Sequence, residues 1–287
     1  MGSVKGGKNK MPEIPEVTAF GAYVKNHCLK KVITLVQSTA PQLIKNINLA
    51  AFKQILVGDQ FESVSRLGKY LVIDLKKSKK KLVMHFGLTG FLTYLHNHEN
   101  VRYSCVNFIF NDHSELHYNS VRKFGKLWLI DSIDEIKELK NLGTDPLKFS
   151  EKQFLALIAD NKPKNIKVFL MDQTIIAGIG NEYSDEILFQ AGIDPRRTIN
   201  DLSVAQKKRL FKMMGSVLNY AIKLRMHNLD KIPSGGFFSQ VDKDTFKTSY
   251  LQAHRHSDGK CPHNKNHELA RIKINGRTSY FCPIDQR

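Results

Sequence analysis

Ala177-Gly178-Ile179-Gly180-Asn181-Glu182-Tyr183-Ser184-Asp185-Glu186-Ile187-Leu188-Phe189-Gln190-Ala191-Gly192-Ile193-Asp194-Pro195 is the most specific stretch of the chain. A lone Gly-x-Gly says little. Here it follows a helical pattern over 164–171 and the pair Asp172-Gln173, and it precedes a second helical pattern over 183–191. Glycine lets a backbone approach its partner closely, and Asn181 suits the cap of the next helix. Open N–H groups at a helix start attract phosphate. The stretch reads as a phosphate-holding turn between two helices.

The rest of the chain supports an anionic partner. Its 287 residues carry 44 basic and 27 acidic side chains, a net +17, and the pI is near 9.6. An excess of that size points first to nucleic acid. No apolar run is long enough to span a bilayer, and the start, MGSVKGGKNK, has no apolar core of a signal peptide. Gly6 stands where myristoylation wants Ser or Thr. Four scattered cysteines do not make a disulfide scaffold, so the expectation is a reduced, cytoplasmic, nucleoid-associated protein.

Upstream, Val17, Phe20, Val24 and Cys28 recur at helical spacing. Eight short runs rich in β-branched and aromatic residues follow: Lys31–Gln37, Gly58–Ser65, Tyr70–Leu75, Lys81–Phe86, Gly90–Leu95, Ser104–Asn111, Glu115–Tyr118 and Lys126–Ile130. They predict a β-sandwich or barrel. Further helical patterns cover 151–160, after a Ser150 cap, and 202–224. Near the end, Asn275-Gly276 between alternating segments predicts a tight hairpin. The expected fold class is α+β: a leader at 1–11, a sandwich with a leading helix at 12–131, a linker at 132–150, helices with a polar loop at 151–250, and a hairpin finger at 251–287.

Met11-Pro12-Glu13-Ile14-Pro15-Glu16-Val17 admits two readings. Pro and Glu are ordinary at a helix start. Alternatively, translation from Met11 and removal of that methionine would expose Pro12 as a secondary amine. Such an amine attacks an aldehydic sugar carbon to give an iminium, and Glu13 and Glu16 could then move protons. As written, Pro12 is internal and its nitrogen is an amide, which cannot react this way.

PEIPEV, His85-Phe86-Gly87-Leu88-Thr89-Gly90, Arg122-Lys123-Phe124-Gly125 and the 166–195 segment together resemble the formamidopyrimidine-DNA glycosylase / endonuclease VIII family, from Pro12 to the C-terminus. The resemblance implies a bifunctional base-excision enzyme acting as a monomer on damaged double-stranded DNA. It puts the nucleophile on Pro12, the acid/base on Glu13 and a phosphate contact on Lys69. The loop holding His85 would insert Leu88 into the base stack, where the family more often has Met. Arg122 would face the orphaned base, with Phe124 filling the gap. Lys167 and Asn181 would hold phosphates from a helix–two-turns–helix clamp. The polar stretch 227–240 would be a base-covering loop.

In that family a zinc-finger hairpin carries an arginine to the phosphates, which puts this role on Arg277. Its two Cys-x-x-Cys knuckles are broken here by Asn264 and Asp285. Cys261 and Cys282 remain, His267 or His263 could add a third ligand, and Asp285 a fourth. The alternative is a zincless finger packed on Ile272, Ile274, Tyr280 and Phe281.

The leading functional reading is therefore a glycosylase for oxidised bases, purines favoured, with abasic-site lyase activity. A non-catalytic damaged-DNA-binding protein with a blocked N-terminus is the second. An RNA-binding zinc ribbon is the third, and it leaves the Pro12 cluster unexplained.

Overall fold

Alternating apolar residues, turn signals and one strongly apolar helix face set the architecture of the computed structural model, which describes residues 11–96, 101–161, 163–227, 250–251 and 259–287. The chain forms two compact units. One comprises Met1–Lys140 with Arg225–Val241, the other Asn141–Leu224 with Asp242–Arg287. The leader up to residue 10 and nearly all of the expected base-covering loop lie outside the described residues.

In the first unit, helix α1 (Ile14–His27) leads into two antiparallel four-stranded sheets. The strands are β1 (Ile33–Ser38), β2 (Phe61–Leu67), β3 (Tyr70–Leu75), β4 (Lys81–His85), β5 (Gly90–Leu95), β6 (Ser104–Phe110), β7 (Glu115–Ser120) and β8 (Lys126–Ile130). Their orders are β1-β6-β7-β5 and β2-β3-β4-β8. Each of the eight expected runs is a strand. Ile33, Val36, Phe108 and Tyr118 from one sheet share a buried core with Phe61, Ile73, Met84 and Leu129 from the other, and Phe20 and Val24 of α1 join it. This is a sandwich held by inward-facing alternate residues. Helix α2 (Leu49–Leu56), capped by Asn48, buries only Phe52 and Leu56. It is too short for a periodicity window of about 11 residues to detect. The short helix α3 (Lys137–Lys140) ends this part of the chain.

In the second unit, α4 (Glu151–Asp160), α5 (Ile166–Met171), α6 (Asn181–Ala191) and α7 (Val204–His227) precede the hairpin of β9 (Ala270–Ile274) and β10 (Arg277–Phe281). The last turn of α7, from Arg225, belongs to the first unit. Arg277 pairs with Ile274 across a two-residue turn. Asn275 and Gly276 both take positive φ, 46° and 73°, as the tight turn compatible with sheet twist requires. No helix among the described residues is long and apolar enough to cross a membrane.

Candidate active site and nucleic-acid interface

Pro12 is buried just ahead of α1, and Glu13 is its N-cap. The Glu13 N–H donates to Glu16 Oε2 at 3.0 Å. Glu16 Oε1 accepts from Arg225 Nε and Nη2 at 3.0 and 2.9 Å. Both Glu16 oxygens are thus engaged in anchoring, which differs from the expectation that Glu16 moves protons. A carboxylate buried against a guanidinium is held in one place.

Lys69 occupies the two-residue turn between β2 and β3, after Gly68. The adjoining Tyr70 pairs across the sheet with His85, and His85 pairs with Lys126 on its other side. Burial, with Lys69 and Lys126 adding their charge, pushes His85 down to about 4. The imidazole is therefore neutral at physiological pH, and its Nδ1 accepts from the Gly87 N–H at 3.3 Å.

The two loops expected to probe the base stack lie together. A Cβ on Gly87 would stand 2.3 Å from the Phe124 carbonyl oxygen, and Gly87 has φ +53°. Only glycine allows that approach in that conformation. Gly125 is equally tight against the Tyr118 hydroxyl, which donates to the His85 carbonyl at 2.7 Å. Phe124 is 52% exposed, and Arg122 lies over its ring at 4.8 Å. An aromatic ring with that much open surface is not a core residue. Leu88, in the neighbouring turn, is half-buried.

In the second unit, Gln173 shapes the Gly-x-Gly turn: its carboxamide donates to the Met171 and Ile179 carbonyls and accepts from the Gly178 N–H. Gly180, not Asn181, caps α6. Asn181 is already helical, and its Nδ2 donates to the Thr278 carbonyl at 3.0 Å. Lys167 also departs from expectation. Its side chain has no exposed surface, and Nζ is 2.5 Å from Asp185 Oδ1. Nζ reaches the same Thr278 carbonyl at 3.4 Å. Asp185 in turn accepts from Ser279 Oγ and the Tyr280 N–H. A buried ammonium paired with a buried carboxylate holds its surroundings together rather than meeting phosphate directly. Lys167, Asn181 and Asp185 converge on the first residues of β10, beside exposed Arg277.

Cys261, His267, Cys282 and Asp285 place their donor atoms within 4.8 Å of one another. Asp285 Oδ2 accepts from the Cys261 thiol at 2.9 Å, and Asp285 Oδ1 is 3.1 Å from His267 Nδ1. Two sulfurs, one imidazole and one carboxylate are a donor set that a metal such as zinc accepts. His263 instead sets its ring at a tilt against Phe189, 4.4 Å between centroids, leaving the third position to His267. Phe189 and Leu251 pack with Cys261 and Cys282, with Leu269 and Tyr280 against them; Phe281 is buried, whereas Ile272 and Ile274 remain half-buried.

Residues 11–127 match the family model described as the formamidopyrimidine-DNA glycosylase N-terminal domain, and 142–231 the H2TH domain of the same enzymes. The chain belongs to the formamidopyrimidine-DNA glycosylase family. The family enzyme of Pelotomaculum thermopropionicum is 32% identical over 96% of this chain and 99% of its own length. That of Mycoplasma genitalium is 32% identical over 95% and 94%. Among solved structures, the Lactococcus lactis formamidopyrimidine-DNA glycosylase bound to DNA containing an oxidised pyrimidine superposes with a TM-score of 0.80, at 28% identity over 96% of this chain and 100% of that one. Its complex with FAPY-dG DNA gives 0.79, at the same identity and coverage.

Within this glycosylase-family chain, the sequence reading missed Arg225 and Asp185. Each had a signal. Arg225 continues the buried stripe Leu210, Met214, Val217, Leu218 and Ala221 of α7, where a cation needs a buried partner. Asp185 is a carboxylate on the apolar face of α6, matched by Lys167.

Proposed function

We propose that this protein is a DNA repair glycosylase that removes oxidised bases from duplex DNA, oxidised purines first, and then cuts the abasic site as a lyase. The observation that carries the reading is the Pro12–Glu13 pair at the head of α1 in a chain of this family. In the active form Pro12 is the terminal residue, with Met11 and what precedes it removed; the family match begins at residue 11.

The chemistry then follows. The Pro12 nitrogen forms a bond to the anomeric carbon as the bond to the base breaks, and the base leaves with a proton. As the base departs, Glu13 protonates the ring oxygen, the sugar opens, and an iminium forms. The iminium draws electrons from the neighbouring carbon. That carbon loses a proton, the 3′ phosphate leaves with its bonding pair, and water later frees Pro12.

DNA is held by contacts that position the duplex without reading sequence. Lys69 and Arg277 supply charge to phosphates. Asn181, Lys167 and Asp185 brace the strand that presents Arg277. Leu88 and Phe124 are the wedge and Arg122 the group beside it, replacing lost stacking with contacts to bent DNA. Zinc held by Cys261, His267, Cys282 and Asp285 would lock the hairpin; its role is structural. Metal analysis is expected to find about one zinc per chain. In Asp285→Ala that content falls, and the hairpin becomes the first region to open by hydrogen exchange. A metal-free protein with a protected hairpin would instead support the zincless finger.

The function is tested by excision from duplexes carrying 8-oxoguanine, formamidopyrimidine, an oxidised pyrimidine or no lesion. Release is expected for the oxidised bases, fastest for purines, and binding weakens steeply with salt. Binding to damaged duplex without release of any base would favour the non-catalytic reading.

A further inference from the structure

Arg225 stands on α7 where an apolar residue would continue the stripe, and it is fully buried in the same unit as α1. Its guanidinium grips one oxygen of Glu16, and the other oxygen holds the Glu13 N–H. Glu16 and Glu13 are buried too. Cation, carboxylate and the backbone of the acid residue thus form one chain of contacts. An unmatched charge at such depth is costly, and Arg225 is the counter-charge that Glu16 meets there.

The Pro12 nitrogen is one residue from the Glu13 nitrogen, at most about 3.6 Å along the backbone. Adding the 3.0 Å hydrogen bond, Glu16 Oε2 lies within about 7 Å of the reacting atom. A lone carboxylate at that range favours a protonated amine. We propose that Arg225 is a positioning residue of the lyase reaction: it cancels the charge of Glu16, so that this carboxylate fixes the Glu13 backbone without keeping the Pro12 amine protonated. The inference rests on Pro12 being the nucleophile.

Other ionisable groups surround α1. It packs against β2, β3 and β5, which carry Glu62, Arg66, Tyr70, Asp74 and Tyr94, with Lys69 at the turn between β2 and β3. Asp74 is paired with Lys81, Arg66 donates to the Gly68 carbonyl, and Tyr94 accepts from Lys31. Tyr23, Lys25 and His27 lie on α1 itself, and Lys223 and His227 flank Arg225 on α7. All stay constant when residues 16 and 225 are varied, so differences between variants belong to that pair.

The experiment measures the rate of borohydride trapping on abasic duplex against pH, with chains that start at Pro12. A more basic amine yields free base only at higher pH. Arg225→Met is therefore expected to move the rising limb up by about 0.5–1 pH unit. Glu16→Gln, which leaves the Arg225 charge unopposed, is expected to move it down by about the same amount. Arg225→Lys keeps the parent limb, and the Glu16→Gln/Arg225→Met pair restores it. Slower trapping with an unmoved limb in both single variants overturns the proposal. If Arg225→Met does not fold, Glu16→Gln decides alone, since its carboxamide still accepts from the Glu13 N–H: a downward shift supports the role and no shift overturns it. A parent that traps nothing at any pH overturns the nucleophile reading and this proposal with it.

Discussion

A chain that begins at Pro12 is expected to form a borohydride-trapped adduct with abasic duplex, and a chain in which residue 11 still acylates Pro12 none above background. The reason is electronic. An amide nitrogen shares its lone pair with the carbonyl and cannot become an iminium. A terminal amine keeps that pair and has a pKa of about 7.7–8.0, so roughly a seventh is free base at pH 7. A lysine, near 10.4, offers only about one part in 2,500. Pro12→Gly keeps a terminal amine and should retain part of the lyase activity. Gel-shifted adducts, with intact mass confirming each terminus, measure the effect. An adduct from the blocked chain, or none from the free one, would remove Pro12 from the mechanism.

Glu13→Gln is expected to lower base excision by about 100- to 10,000-fold, the usual range for a positioned proton donor. Its effect on strand cutting at a preformed abasic site should be much smaller, because that sugar already equilibrates with its open aldehyde, which Pro12 can attack without a proton from Glu13. The substitution preserves the backbone N–H that Glu16 holds, so the head of α1 keeps its place. Single-turnover release of 8-oxoguanine, set against elimination on abasic duplex, separates the two steps. Equal losses in both would show that Glu13 serves the fold or the amine rather than departure of the base.

Much of this was readable in one dimension. Alternating residues such as Leu71, Ile73 and Leu75 declare a strand with one face inward, and Asn275-Gly276 declares its turn by the backbone angles these residues tolerate. The exposed ring of Phe124 was half legible, since its neighbours Arg122, Lys123 and Gly125 mark a loop. Lys167, set on a phosphate by the family resemblance, is instead buried against a carboxylate. Its partner Asp185 lies 18 residues away, and only the packing of α5 on α6 brings the two together.

Backbone preference and apolar spacing act over a few neighbouring residues, so the strands, the longer helices, the hairpin turn and the residue types able to do chemistry are written along the chain. Tertiary structure alone decided which charges face one another. It joined Glu16 to Arg225 across 209 positions and Cys261 to Asp285 across 24. It also set Lys167, Asn181 and Asp185 against the strand that carries Arg277. The physical reason is that a charge or hydrogen bond acts over a few ångströms of space, and no local pattern records which distant residue will occupy that space once the core has closed.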